Sequence, residues 1–469
     1  MLIPTFKIRF ILLLLSAGLF FSCGKDDGPA PILEDDDEII VDDDPNPTGF
    51  QGDIDFVKTF GGSNEETATS IVLANDGNYM VLGTTKSMDG DLVGRTGDDN
   101  DYWLLKISPE GVIIWSKTYG GSADDVATSI SKTSDGGYVL SGHSRSSDGG
   151  IGNEGFHDYL LFKITANGTE QWHKNYGFSG SDQATKIFET AEGNFFATGF
   201  FDVSASGGAG NDFQNTNQTN QKGGQHGVGE YWGILMDGNG NKIWRRYFGG
   251  SNNDRSYDAL QTDDGGFLMI GASESTDFDI TDDKGSYDFW AVRLSPQGDL
   301  LWTKSFGGSE IDVAYSVTKT LDGNYLMVGD SRSSDKDVTG NHGNADVWVV
   351  KFNDLGNMIW QKTYGGTEFE SARSIKPLAN GGYVITGFTR SSDGDVTINK
   401  GQNDLWVLLI DENGGITLET TIGGSVLDFG FDVIQTPDNK IIAVGNTESN
   451  NLDIPQNRGI KDLLLVKLK

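Results

Sequence analysis

A motif written seven times over limits what this chain can fold into more than any other feature of it. The stretch WSKTYGGSADDVATS (115–129) returns as WTKSFGGSEIDVAYS (302–316) and as WQKTYGGTEFESARS (360–374). Its Gly-Gly step, intact or altered, falls at Gly61, Gly120, Gly177, Gly249, Gly307, Gly365 and Gly423, with spacings of 59, 57, 72, 58, 58 and 58 residues. A catalytic motif is needed once, whereas a unit repeated at a fixed period builds architecture.

One unit can be read strand by strand. DVATSISKTSDGGYVLSGHS (125–144) is two strand-like runs about a Gly-rich turn at 134–137, where glycine supplies positive φ. DYLLFKITANGTEQWHKNYG (158–177) gives two more strands about a turn at 166–168, so each unit has four antiparallel strands. Helix-period patterning with caps is absent from every copy. A sheet of about 58 residues cannot bury both faces alone, but seven such sheets stacked radially can, which predicts an all-β fold, a seven-bladed β-propeller. A β-solenoid uses shorter coils and needs capping ends that this sequence does not show. The first copy opens on a lone fourth strand (53–62) and the last stops on a third (462–469). The N-terminal strand is therefore expected to complete the C-terminal blade and remove an exposed edge. All ten tryptophans fit this frame. Trp115, Trp172, Trp244, Trp302 and Trp360 begin fourth strands, where Phe56 and Leu418 stand in the other copies. Trp103, Trp232, Trp290, Trp348 and Trp406 sit in third strands, with Leu160 and Leu464 as equivalents, so packing between blades is expected of them rather than sugar binding.

Two acidic positions recur in all seven copies. One begins the inner strand (Glu66, Asp125, Asp182, Asp254, Asp312, Glu370, Asp428), and the other precedes the third (Asp101, Asp158, Glu230, Asp288, Asp346, Asp404, Asp462). In a propeller both sets ring one rim. They either form a polyanionic face for Ca²⁺ or a cationic ligand, or each accepts backbone N–H bonds and fixes its own loop. Recurrence in every copy makes blade geometry the more economical reading. The loops before the third strand carry Asp-x-Asp steps, formed by Asp89 with Asp91, Asp277 with Asp279, Asp335 with Asp337, and Asp393 with Asp395. Alternating carboxylates on a Gly-bearing loop can wrap a hard cation such as Ca²⁺, but the spacing is not that of an EF-hand. The third copy departs most: its loop from Phe201 to Glu230 is about a dozen residues longer and rich in Gly, Asn and Gln, a place where specificity can sit.

Enzyme signatures are weak. The five histidines show no metal-ligand spacing, and carboxylates are too plentiful for any pair to stand out. SPEGVIIW (108–115) is similar to the Asp-box of sialidase propellers, but its Gly-to-Trp register is one residue too long and Glu replaces Asp. Quinoprotein propellers generally use eight blades, and their repeat motif is missing. The formal net charge of -33 disfavours nucleic acid and leaves cations, neutral glycans or basic protein patches as partners.

The N-terminus explains the single cysteine. Lys7 and Arg9 precede a short apolar run, 10–21, and Ser22 precedes Cys23. This resembles a bacterial lipoprotein signal in which the cysteine is lipidated, with Phe20 where Leu is usual. GKDD (24–27) is similar to the signal that sends lipoproteins of Bacteroidetes-type bacteria to the outer cell surface. Ten acidic residues and four prolines between 24 and 49 read as an extended tether. The expected organisation is a signal peptide at 1–22, the lipidated Cys23 and tether at 23–52, and the propeller at 53–469.

Over 53–469 the chain resembles the Gly-Gly/Trp propeller-repeat lipoproteins of those bacteria, on W-x-K-x-Y-G-G-S, the D-G-G-Y turn and D-x-W-x-x-K. The resemblance is specific for architecture and not for function; the leading expectation is a monomeric, lipid-anchored outer-membrane protein that offers a propeller rim to a glycan or surface protein without catalysis. The alternative is a glycosidase or lyase with carboxylates in the funnel.

Overall fold

The structure is a computed structural model, and it describes residues 50–212 and 226–469. The expected signal peptide, Cys23 and the acidic tether up to residue 49 lie outside the described residues, as does 213–225 of the third copy's long loop. Among the described residues, strands β1 (Ile54–Phe60) to β28 (Asp462–Leu468) form seven antiparallel sheets of four. Blade 1 comprises β2 (Glu66–Leu73), β3 (Tyr79–Thr85), β4 (Asp101–Ile107) and β5 (Ile113–Tyr119), and consecutive fours make blades 2 to 6. Blade 7 takes β26 (Asp428–Gln435), β27 (Ile441–Thr447) and β28 from the C-terminus and β1 from the N-terminus. The chain is a seven-bladed β-propeller, closed as its sequence phase requires. The only helices among the described residues are single turns, at Gly90–Leu92 and at Val203–Ser206 of the long loop, the latter capped by Asp202.

The closure reproduces a turn that the chain does not contain. In blades 1 to 6 the third and fourth strands join through a glycine in the left-handed region: Gly111, Gly168, Gly240, Gly298, Gly356 and Gly414, with φ between 69° and 79°. In blade 7 the two chain segments meet there instead, and Gly52 has φ 79°. Asp53 and Lys469 exchange backbone hydrogen bonds of 3.1 and 2.9 Å. The aromatic or leucine that opens the preceding blade's fourth strand lies over that glycine in all seven cases, from Phe56 on Gly111 to Leu418 on Gly52. Lys117 Nζ and Tyr119 Oη donate to Gly168 O at 2.9 and 2.8 Å, and Lys362 and Tyr364 donate to Gly414 O in the same way. The W-x-K-x-Y segment is thus a clasp on the neighbouring blade.

The third strands carry the core. Their five tryptophans are at most 2 % exposed and pack between sheets with residues of the adjacent blade, such as Trp103 with Leu463 and Leu465. The lysine or arginine near the end of D-x-W-x-x-K pairs with the aspartate of the D-G-G-Y-type turn: Lys106 with Asp76, Lys163 with Asp135, Arg293 with Asp264 and Lys351 with Asp322. Every inner strand has a bulge after its third residue or its equivalent, as between Ala68 and Ser70 or Ala372 and Ser374, which re-aims the residues that follow.

Candidate functional site

The two recurring acids meet at the blade junctions rather than facing solvent. The inner-strand acids Glu66, Asp125, Asp182, Asp254, Asp312, Glu370 and Asp428 are all 0 % exposed, so they are enclosed behind the rim and not displayed on it. One oxygen of each accepts the N–H of the residue four positions earlier, at 2.6–2.9 Å. Hydroxyls engage most of them as well: Ser273 and Ser275 donate to Asp254, Ser333 to Asp312, and Thr389 to Glu370. The acids that precede the third strands accept backbone N–H bonds from their own loops, as Asp288 does from Lys284 at 2.5 Å and Asp404 from Lys400 at 2.8 Å. Asp101 instead accepts from Arg95 Nε at 2.9 Å.

Between the two acids of each junction lies the first glycine of the crossing. A Cβ on Gly307 would fall 2.2 Å from Asp288 Oδ1 and 2.7 Å from Asp312 Oδ2, and Gly120 stands likewise between Asp101 and Asp125. The Oδ1 atoms of Asp101, Asp158, Asp288, Asp346, Asp404 and Asp462 are buried without a hydrogen-bond partner, and each faces this glycine's Cα–H, a weak donor. Glu230 Oε2, the seventh, lies 3.3 Å from His226 Nδ1. Gly307→Ala should therefore destabilise the fold by about 2–4 kcal/mol. Gly323→Ala, at φ 77° with nothing near the added carbon, should cost only the backbone strain of about 1 kcal/mol. Urea unfolding of both variants checks the contrast.

The Asp-x-Asp steps grip the same crossings. Asp89 Oδ1 accepts Ser63 N–H at 2.7 Å and Asp91 Oδ2 accepts Gly61 N–H at 3.0 Å. In the next such loop Asp277 accepts Ser251 N–H at 2.8 Å and Asp279 accepts Gly249 N–H at 3.2 Å. Asp335 accepts Ser309 N–H at 2.8 Å and Asp337 accepts Gly307 N–H at 3.4 Å. Asp393 accepts Thr367 N–H at 2.8 Å and Asp395 accepts Gly365 N–H at 3.1 Å. Asp89, Asp91, Asp277, Asp279, Asp335, Asp337, Asp393 and Asp395, the residues expected to wrap a Ca²⁺ ion, thus each have one oxygen on a backbone amide of the crossing. The two acids of a step reach different residues of the crossing. Among the described residues no three His, Cys, Asp or Glu side chains come together as a group able to hold a metal ion.

Blade 3 breaks the pattern. Phe178 replaces the second glycine, and Phe201 and Val203 stand where the other blades place hydroxyls, so the crossing is packed by Phe178, Phe201 and Trp232. Asp182 keeps the Phe178 and Asp202 amides as donors but has no hydroxyl, and burial pushes its carboxyl up to about 8.

The channel along the propeller axis is lined by inner strands, and there the seven copies differ. Counting each strand's acid as its first residue, the fourth residues are Thr69, Thr128, Thr185, Tyr257, Tyr315, Arg373 and Phe431, all half-buried. Blades 1 to 3 thus present threonine and blades 4 to 7 present aromatic rings and one guanidinium. The fifth residues form a belt. Asp432 accepts the Ser70 hydroxyl at 2.9 Å, the Ile71 amide at 3.0 Å and the Ser374 hydroxyl at 2.7 Å, tying blades 6, 7 and 1. Asp258 accepts the Ser316 hydroxyl at 3.2 Å and the Val317 amide at 3.0 Å. Lys186 lies 3.5 Å from Asp258, and Lys376 lies 3.5 Å from Asp432. Burial works to raise the Asp432 carboxyl, but Lys376, the Ile71 amide and Lys186 outweigh it and hold it low. Two cavities of about 330 and 370 Å³ share Lys186 and Lys376 in their walls, and a narrower space of about 90 Å³ touches all seven inner strands.

These channel residues were not among the candidates read from the sequence. Their signal was present: Lys186, Asp258 and Asp432 replace a serine found in the other four copies.

No family model and no curated protein matches the chain. Among solved structures, a protein of unknown function from Bacteroides caccae is 13% identical, with 74% of this chain and 97% of that one covered and a TM-score of 0.40. The WD40 domain of Neurospora crassa Pan2 is 9% identical over 88% of this chain and 96% of that one, with a TM-score of 0.46. Sqt1 from Chaetomium thermophilum is 10% identical over 85% and 83%, with a TM-score of 0.43.

Proposed function

We propose that this propeller is a non-catalytic binding module, displayed on the outer cell surface by a lipid on Cys23, that takes a glycan or surface-protein ligand at the mouth of its channel. One observation carries the reading. Positions that hold blades together repeat around the ring, whereas the channel-facing positions change from threonine to aromatic and charged residues across it. A sevenfold frame gains a specific ligand site only where its symmetry is broken. The recurring acids are enclosed and hold the crossings, so in this reading they shape the rim and the channel residues meet the ligand. The described start of the long loop, 201–212, adds a second asymmetry along the outer strand of blade 3, where Asp212 pairs with Lys242 and Arg245.

A glycan array probed with the purified propeller, with and without Ca²⁺, tests the module. Binding without turnover that is lost in Tyr315→Ala but kept in a surface control such as Leu321→Ala is the expected result. Silence on glycans, and on surface proteins of the producing cell, would count against it. Cys23→Ala should abolish metabolic labelling with palmitate and release the protein from membranes.

A further inference from the structure

The cations of the channel are not equivalent. Lys186 and Lys376 each face an aspartate at 3.5 Å. No carboxylate among the described residues lies within 4.0 Å of Arg373. Its guanidinium lies 3.7 Å over the Tyr315 ring, with the Tyr315 hydroxyl in reach, and 5.5 Å from the ring of Phe388. Its Nε is buried without a hydrogen-bond partner. Asp330 is close enough to act on it through space, but that carboxylate accepts the Ser371 hydroxyl at 2.6 Å and is enclosed. Arg373 is therefore a preoriented fork with donors left for something that enters the channel.

Its surroundings narrow the class. Tyr257 packs on Tyr315 with ring centroids 5.1 Å apart, and Phe431 continues the aromatic arc in blade 7. Across the channel stand Thr69, Thr128 and Thr185. Aromatic rings with a bidentate donor set among them on one side and hydroxyls on the other suit a pyranose that bears a carboxylate. The chain's charge of -33 does not forbid this. Ten of its acids lie between residues 24 and 49, and many others are bound in ion pairs or at the blade junctions.

We infer that the channel mouth is a site for a carboxylate-bearing sugar, its carboxylate held by Arg373 and its ring by Tyr315 and Tyr257. This rests on the binding-module reading and gives it a ligand class. The test is calorimetric titration of the full propeller with uronate-terminated oligosaccharides, each paired with its carboxyl-reduced neutral counterpart, beside acetate, inorganic phosphate and an acidic peptide. The expected result is that at least one uronate binds about tenfold or more tighter than its neutral partner. Arg373→Met, which keeps the bulk over Tyr315, should erase that difference while leaving the melting temperature near that of the parent. Equal binding of acid and neutral sugars, lost in Tyr315→Ala, overturns the carboxylate and leaves the module standing. Silence of every uronate, binding of the peptide or phosphate alone, or a uronate preference that survives Arg373→Met also overturns it.

Discussion

Removing residues 53–60 should lower the melting temperature by about 10 °C or more, whereas removing 24–49 should shift it by about 1 °C at most. The first deletion takes away β1, which pairs with β28 along its length and completes blade 7. Phe60 is buried in the junction of blades 7 and 1, and Phe56 and Val57 pack against the cores on the two faces of blade 7. Burying three such side chains is worth about 5 kcal/mol before any backbone hydrogen bond is counted. Loss of β1 would also leave β28, whose Leu463, Leu464, Leu465 and Val466 are fully buried, as an apolar edge open to another chain. Calorimetry and size-exclusion chromatography of the two truncations read both effects. Equal melting temperatures would remove the clasp from the account of the fold.

That clasp was legible because the repeat is out of phase with the chain. A lone fourth strand at one end and a missing one at the other admit few solutions once the ring is drawn. The tryptophans were legible for a similar reason, since each substitution by Leu or Phe kept the apolar character that packing requires. The junctions were only half legible. Sequence places both acids on one rim, but the pairing of Asp288 with Asp312 across Gly307 arises between neighbouring blades, and a single blade's pattern holds no record of its neighbour. The Asp-x-Asp steps were half legible for the same reason. Asp335 and Asp337 look like alternating cation ligands along one loop, yet their acceptor oxygens serve Ser309 and Gly307 of the crossing that precedes the blade. The channel was the least legible part. In Glu370–Pro377 the register shifts at the bulge between Ala372 and Ser374, so a period of two misplaces Ser374 and Lys376 relative to Arg373. An arginine among threonines and tyrosines carries meaning only when the direction it faces is known.

The same junctions make stability depend on pH in an unusual direction. Burial pushes the carboxyls of Asp101, Asp158, Asp254, Asp312 and Asp404 up to about 6. Burial with Asp312 opposite brings Asp288 to about 7, and Asp182 stands at about 8. In the unfolded chain each titrates near 3.8. Between about pH 4 and pH 8 the folded chain therefore binds more protons than the unfolded one, and stability falls as pH rises through the folded values. Below that window, ion pairs such as Asp264 with Arg293 are lost. Asp264 is held at about 2 by the Thr262 hydroxyl against partial burial, with the Gly266 amide and Arg293 adding to it. The stability optimum should thus lie on the acid side of neutrality, with the melting temperature at pH 5 about 5 °C or more above that at pH 8. Asp182→Asn isolates one site: it mimics the neutral acid and cannot ionise, although its one amide oxygen can accept only one of the Phe178 and Asp202 N–H bonds, which reach different oxygens of the carboxylate. Relative to the parent, that variant should gain stability steadily from about pH 4 to about pH 8 and no further above that. A melting temperature that is flat or rises from pH 5 to pH 8 would mean that the junction acids are ionised in the folded ring, with the crossing amides and hydroxyls carrying their charge.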